Sequence, residues 1–322
     1  MSNTLTTPLS GSGLHGTLRW LLQTPHYAAA LPSVQAWRDA WQTLAGEVDD
    51  PVALALRGGF MADRIGWAFA AGYQAALRAL VPGVAPEDIL ALAATEPAGN
   101  RPRDIETRCA ETVEGWRLDG HKSWITLGGD CTAVLVVARL ADDDEKARPR
   151  LKVLRVPAIA AGLEWPPSPP LPFIPELPHS QCLLKAVVVP AAAMLPGDGY
   201  SDYVKPFRTI EDVFVNLAVL AYALREARAR GWPQALQERL VAALCSLAAL
   251  AGQHPASAAT HVALAGALAV AGALYQETGV LMQRADDAAA ARWCRDAPLF
   301  GVAGKARAAR TVRAWEQLAG AD

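Results

Sequence analysis

Cysteine is scarce and scattered in this chain. The five residues Cys109, Cys131, Cys182, Cys245 and Cys294 form no C-x-x-C pair. That argues against a zinc ribbon or a disulfide framework, and a reducing cytoplasm is the expected setting. Lysine is almost as rare. Of 30 basic residues six are Lys and 24 are Arg, set against 32 acidic residues for a net charge of −2. So even a balance carries no basic footprint for nucleic acid. No G-x-G-x-x-G follows a strand-like run, and no G-x-x-x-x-G-K-[ST] occurs, so the usual dinucleotide and P-loop phosphate cradles are missing. His254 and His261 are the nearest approach to a metal pair, but Pro255 interrupts them and no further ligands stand nearby, so no metal is expected. The segment MSNTLTTPLSGSGLHG lacks a basic n-region followed by an apolar run, so no secretory signal and no membrane partner are expected. The most apolar stretch, from His261 to Tyr275, is short and rich in Ala and Gly. It is expected to be a buried core helix rather than a membrane span.

What is present is apolar and helix-prone. Hydrophobic residues make up 52% of the 322, charged residues 19%, and 65 are Ala. A sizeable core is available and wholesale disorder is excluded. Texture divides the chain into three zones. Residues 1–91 carry apolar residues at helical spacing, ending at Pro82-Gly83. Residues 92–200 hold short β-type runs such as TAVLVVARL, LKVLRV and CLLKAVVV, broken by Gly, Asp and Pro clusters. Residues 201–322 return to long Ala- and Leu-rich helical patterns. Helices, then strands, then helices is an α+β order, not an alternating βαβ one. Two connections stand out. The charged run from Asp142 to Lys146 is expected to be a solvated hairpin turn. From Pro157 to Pro178 there are eight prolines in 22 residues, expected to form a wrapped loop or edge segment, a plain rigid connector in preference to the wall of a ligand cleft.

The informative stretch runs from Thr95 to Arg139. It contains Thr95-Glu96-Pro97, Gly99, then Gly120-His121-Lys122-Ser123-Trp124-Ile125-Thr126 and Gly128-Gly129. In these residues the chain resembles the β-domain of the acyl-CoA dehydrogenase family, whose members carry a T-E-P-x-A-G-S-D turn followed by G-x-K-x-W-I-T-N-G. The run CLLKAVVVP is similar to that domain's closing strand, and Arg295-Asp296-Ala297 to an R-D-A near the family's last helices. The resemblance implies an N-terminal helical domain, a small antiparallel β-barrel-like middle domain and a C-terminal helical bundle. It also implies FAD, an acyl-CoA or other acyl thioester as substrate, and a homodimer or homotetramer assembled through the C-terminal helices.

Site residues follow from the same resemblance. A flavin ring needs an apolar or aromatic wall and hydrogen-bond partners along its polar edge. Trp124 is the implied wall and Thr126 the partner near flavin N5. Two residues apart on an extended strand, they are expected on one face. Thr95, with the backbone of Ala94 and Gly99, is implied along the pyrimidine end. Asn100 stands where the family has the Ser that helps to hold the pyrophosphate. Arg230, in a loosely similar A-R-A-R-G-W-P segment, is the counterpart of an Arg that reaches the flavin of a neighbouring subunit.

The α-proton of an acyl thioester must be taken by a carboxylate with a pKa raised by apolar surroundings. Most of the family places this Glu in a Y-E-G-T segment, and here Gly304 falls at its position. A minority places it earlier, in a segment like L-E-R-L-V-L-A, and Glu211 in TIEDVFVNLA matches that position. Glu211 and Asp212 read equally as first-turn residues stabilised by a helix dipole. The absent Glu at 304 leaves two alternatives open: a non-catalytic binding or assembly relative, and a flavin monooxygenase or oxidase that needs no such base.

Overall fold

Helical spacing in the first zone becomes four helices, α1 (Leu14–Gln23), α2 (Val34–Glu47), α3 (Pro51–Met61) and α4 (Ile65–Leu80). The computed structural model describes residues 13–26, 28–142, 149–285 and 287–320. Side-chain caps set the breaks. The Ser33 hydroxyl accepts from the Ala36 N–H at 3.2 Å and the Asp50 carboxylate from the Ala53 N–H at 2.9 Å, with Pro51 opening α3. Between α2 and α4, Trp37 stacks on Trp67 at 5.8 Å.

The second zone is one seven-stranded sheet. Its strands are β1 (Leu90–Ala93), β2 (Arg108–Thr112), β3 (Gly115–Thr126), β4 (Ala133–Leu140), β5 (Leu151–Pro157), β6 (Leu163–Glu164) and β7 (His179–Val189). The order is β1-β4-β2-β3-β7-β6, with β5 on the other edge of β4. All three β-type runs seen in the sequence are strands. The pairings β2–β3, β3–β7, β4–β5 and β6–β7 are antiparallel. The β1–β4 and β2–β4 pairings are parallel. A parallel pair needs a long crossover, and the β2–β3 hairpin between β1 and β4 provides it. Ala133 to Ala138 are all buried, as expected for a strand covered on both faces. Beyond Asp142, the charged run to Lys146 lies outside the described residues.

The third zone comprises α5 (Lys205–Ala229), α6 (Gln234–Ala251), α7 (Ala258–Gln283), α8 (Ala288–Asp296) and α9 (Gly304–Ala319). Helix α5 is the spine. Its 25 residues span about 38 Å at the standard helical rise. Helices α3 and α4 cross it on one side, α6 and α7 on another. The crossings are backbone-close because two glycines allow it. A Cβ on Gly72 would stand 2.5 Å from the Val215 Cα, and one on Gly59 would run into the Ala218 carbonyl. Helix α5 is therefore held firmly against the N-terminal helices α3 and α4.

One helix departs from expectation. Helix α7, which contains His261 to Tyr275, is buried along a stripe that includes Leu264, Ala271, Leu274 and Thr278, not all round. Its opposite face is apolar and open, with Val270 53% exposed and Val280 50% exposed. The 26-residue helix is long and apolar enough to cross a membrane by length and composition. In this fold it lies against α5, α6 and α9.

Candidate active site

The T-E-P turn closes on itself. Glu96 N–H donates to the Gly99 carbonyl at 2.8 Å and Gly99 N–H returns to the Glu96 carbonyl at 2.9 Å. Gly99 sits at φ 138°, and a Cβ there would meet the Asp104 carboxylate at 2.6 Å. Only glycine fits this position. The turn is tied to β3 in two ways. Ser123 N–H donates to the Thr95 carbonyl at 2.9 Å, and Lys122 Nζ meets Glu96 Oε1 at 2.6 Å. This ion pair is fully buried. Burial works against the Glu96 carboxylate, but Lys122 and the amides of Glu106 and Thr107 outweigh it and hold its pKa below the ordinary value. Burial pushes the Lys122 ammonium down.

Strand β3 is bulged between Lys122 and Ile125, and Trp124 lies at φ 60°. Simple alternation therefore does not bring Trp124 and Thr126 to one side. The bulge re-aims Trp124 so that both reach the same cavity. The Trp124 ring is 53% exposed, large for an aromatic beside a packed sheet.

That cavity has a volume of about 370 Å³ and lies between the sheet and α4, α5, α7 and α9. Of the eight residues expected at a site, it gathers six: Ala94, Thr95, Asn100, Trp124, Thr126 and Glu211. Gly99 shapes the turn beside them. Arg230 is elsewhere. It lies at the C-cap of α5, 19 residues and about 28 Å of helix from Glu211. There it pairs with Glu226 at 2.8 Å and Asp287 at 2.8 Å.

Glu211 is not a first-turn residue. Helix α5 starts at Lys205, preceded by a π-type turn from Gly199 to Val204, so Glu211 lies in the second turn and faces the cavity. Burial raises its pKa to about 7, with Asp212 adding to the rise and Arg307 opposing it. Among the described residues its carboxylate has no hydrogen-bond partner. Asp212 is the opposite case. Arg307 holds one of its oxygens at 2.7 Å and Arg310 the other at 2.6 Å. Two adjacent carboxyls thus receive different environments, one held by two guanidiniums and one left to titrate near neutrality.

Sequence reasoning missed several cavity residues. Arg307, from α9, enters through the Asp212 clamp. Arg208 lines the cavity and donates to Asn100 Oδ1 at 3.0 Å, which leaves the Asn100 amide as a donor. His179 lies opposite Thr126 in the β3–β7 register. The proline-rich segment is not a plain connector, because Leu171, Phe173 and Ile174 form part of the cavity wall. Asp296 pins it by accepting from the Ile174 N–H at 2.7 Å, and Arg295 by reaching Glu176 at 2.9 Å. Those roles explain the R-D-A motif. Gly304 opens α9 beside cavity-lining Ala303, with empty space where a Cβ would stand.

The sheet side of the cavity presents Thr95, Asn100, Thr126 and His179, and the helix side presents Arg208, Glu211 and Arg307. Phe69, Tyr73, Phe207 and Val215 face the sheet side from the helices. These hydrogen-bonding groups and the open Trp124 ring fit a flat heteroaromatic ring with a polar edge.

Residues 91–187 match the model of the acyl-CoA dehydrogenase middle domain. No curated protein matches the chain. Among solved structures, a butyryl-CoA dehydrogenase from Megasphaera elsdenii is similar with a TM-score of 0.64 and 18% identity, over 88% of this chain and 90% of the other. A glutaryl-CoA dehydrogenase from Mycobacterium smegmatis, in complex with FADH2, gives 0.60 and 17%, over 93% and 92%. The electron transferring flavoprotein structure of Acidaminococcus fermentans gives 0.67 and 14%, over 90% of each. The T-E-P and W-I-T segments meet at one cavity, residues 91–187 match the middle-domain model, and the chain shares the acyl-CoA dehydrogenase fold over most of its length.

Proposed function

We propose that the protein is an FAD-dependent oxidoreductase acting on an acyl thioester, with Glu211 as the base. The observation that carries this is the position of Glu211. It is an unpaired carboxyl with a pKa near 7, across the cavity wall from Trp124 and Thr126. The similar glutaryl-CoA dehydrogenase holds FADH2. FAD supplies a hydride acceptor when bound. With FAD bound, Trp124 would form the wall for the ring, Thr126 would serve its N5 edge, and Thr95 with the Ala94 backbone would hold the pyrimidine end. The Asn100 amide and the Arg208 guanidinium suit a phosphate at the cavity mouth. Glu211 would take the α-proton of a bound acyl thioester, the β-hydrogen passing as hydride to the acceptor that FAD would supply. Phe69, Phe207 and Val215 keep water from that carboxyl. Glu211 replaces the carboxyl that Gly304 lacks, which favours this reading over a non-catalytic relative. Arg230, bound to two carboxylates of its own chain, is offered as a cross-subunit flavin contact only if assembly releases it.

The test is uptake of FAD. The purified protein, as isolated or after incubation with FAD and gel filtration, should show the visible flavin bands at close to one FAD per chain. Protein that stays colourless after both treatments overturns the reading. We also propose that the open apolar face of α7, with the groove it forms against α6, packs on a second copy of the chain, as the resemblance implies.

A further inference from the structure

We infer that His179 is a positioning residue for the ring edge at Thr126: it takes the Thr126 hydroxyl hydrogen and turns the oxygen's lone pairs into the cavity. The inference rests on the flavin reading above and deepens it. Thr126 and His179 stand opposite each other on β3 and β7. His179 Nδ1 lies 3.1 Å from the Leu177 carbonyl oxygen. A carbonyl only accepts, so Nδ1 carries the hydrogen. Burial lowers the ring's pKa below its ordinary value, and the Leu177 carbonyl opposes this only in part. Burial thus favours the neutral imidazole, in which Nε2 presents a lone pair. Thr126 Oγ1 is 3.4 Å from that nitrogen. Two lone pairs repel at this distance unless a hydrogen lies between them, and only the hydroxyl has one to give. Thr126 therefore donates to His179.

A hydroxyl has one hydrogen and two acceptor positions. With its hydrogen committed to His179, Thr126 offers the cavity an acceptor alone. The Trp124 ring, 5.7 Å from the imidazole and tilted by 36°, borders the pair on the same side. Oxidised and reduced flavin differ at the edge that Thr126 meets. Oxidised N5 is an acceptor, and reduced N5 carries a hydrogen to donate. A wall that only accepts binds the reduced ring better. Through Thr126, His179 thus biases the site toward reduced FAD.

Two measurements test this. The first is the FAD midpoint potential at fixed pH in wild type, His179→Phe and His179→Gln. Loss of the acceptor in His179→Phe should lower the potential by about 30 mV, which is a tenfold change in the ratio of affinities for reduced and oxidised FAD. His179→Gln, whose amide oxygen accepts, should keep most of the wild-type value. In a Thr126→Val background, His179→Phe should leave the potential unchanged. Equal potentials in all three proteins, or a higher one in His179→Phe, overturn the inference while the flavin reading stands. The second measurement is the nitrogen-15 spectrum of the His179 imidazole in wild type before FAD is added. A proton on Nδ1 alone supports the assignment, and a proton on Nε2 or on both nitrogens overturns it. This arm decides the role of His179 even if His179→Phe misfolds. Failure to take up FAD counts against the flavin reading alone.

Discussion

Glu211 and Asp212 show how little a residue's type says about its chemistry. Both are carboxyls on α5, one residue apart. Two guanidiniums hold Asp212, while Glu211 faces apolar and aromatic side chains and is raised to about 7. The sign of the consequence for stability follows. An acid whose folded pKa lies above its unfolded value weighs on the folded state as pH rises from that lower value toward the folded one. Replacing Glu211 with Gln should therefore raise the melting temperature at pH 8 and leave it nearly unchanged at pH 4, as scanning calorimetry would read it. A melting temperature lowered equally at both pH values would mean that the carboxylate is a structural anion. The Glu211 position was legible in TIEDVFVNLA, and so was the rival first-turn reading. Deciding between them needed the start of the helix. The π-type turn from Gly199 to Val204 sets that start and carries no plain sequence signal.

At the scale of elements, the site is a meeting of β3, β7 and α5, and its precision rests on how α5 is seated. Gly59 and Gly72 let α3 and α4 approach it backbone to backbone. A methyl at Gly72 would meet the Val215 Cα at 2.5 Å, within one helical turn of Glu211. Overpacking of this kind costs about 1–3 kcal/mol. Gly72→Ala should lower the melting temperature by several degrees and shift Glu211 enough to reduce turnover. An unchanged melting temperature would show that α4 yields freely. The turn and strand motifs of the sheet could be read from sequence because their function fixes local residue types. The cavity contacts of Leu171, Phe173, His179 and Arg307 could not. Each comes from a segment brought in by tertiary packing, at a sequence distance that no local spacing encodes. The bulge at Trp124 is a middle case, since the strand was legible and its break in alternation was not.

At the scale of the whole molecule, the α+β order of helices, sheet and helices was readable from texture and motif together. The exposure of α7 was not, because Ala, Gly and Val compose a buried helix and an oligomer face equally well. If a second copy covers that face, Val270→Asp should shift the assembly to a smaller species in analytical ultracentrifugation without unfolding the chain. Wild type that sediments as a monomer would remove the proposed interface. The central claim, that FAD and Glu211 act together on an acyl thioester, is tested most directly by anaerobic titration of the FAD-loaded protein with a panel of acyl-CoAs. The account predicts that at least one acyl-CoA bleaches the visible flavin band in wild type and fails to do so in Glu211→Gln. Equal bleaching in both proteins, or reduction of wild type only by an external reductant, would contradict it.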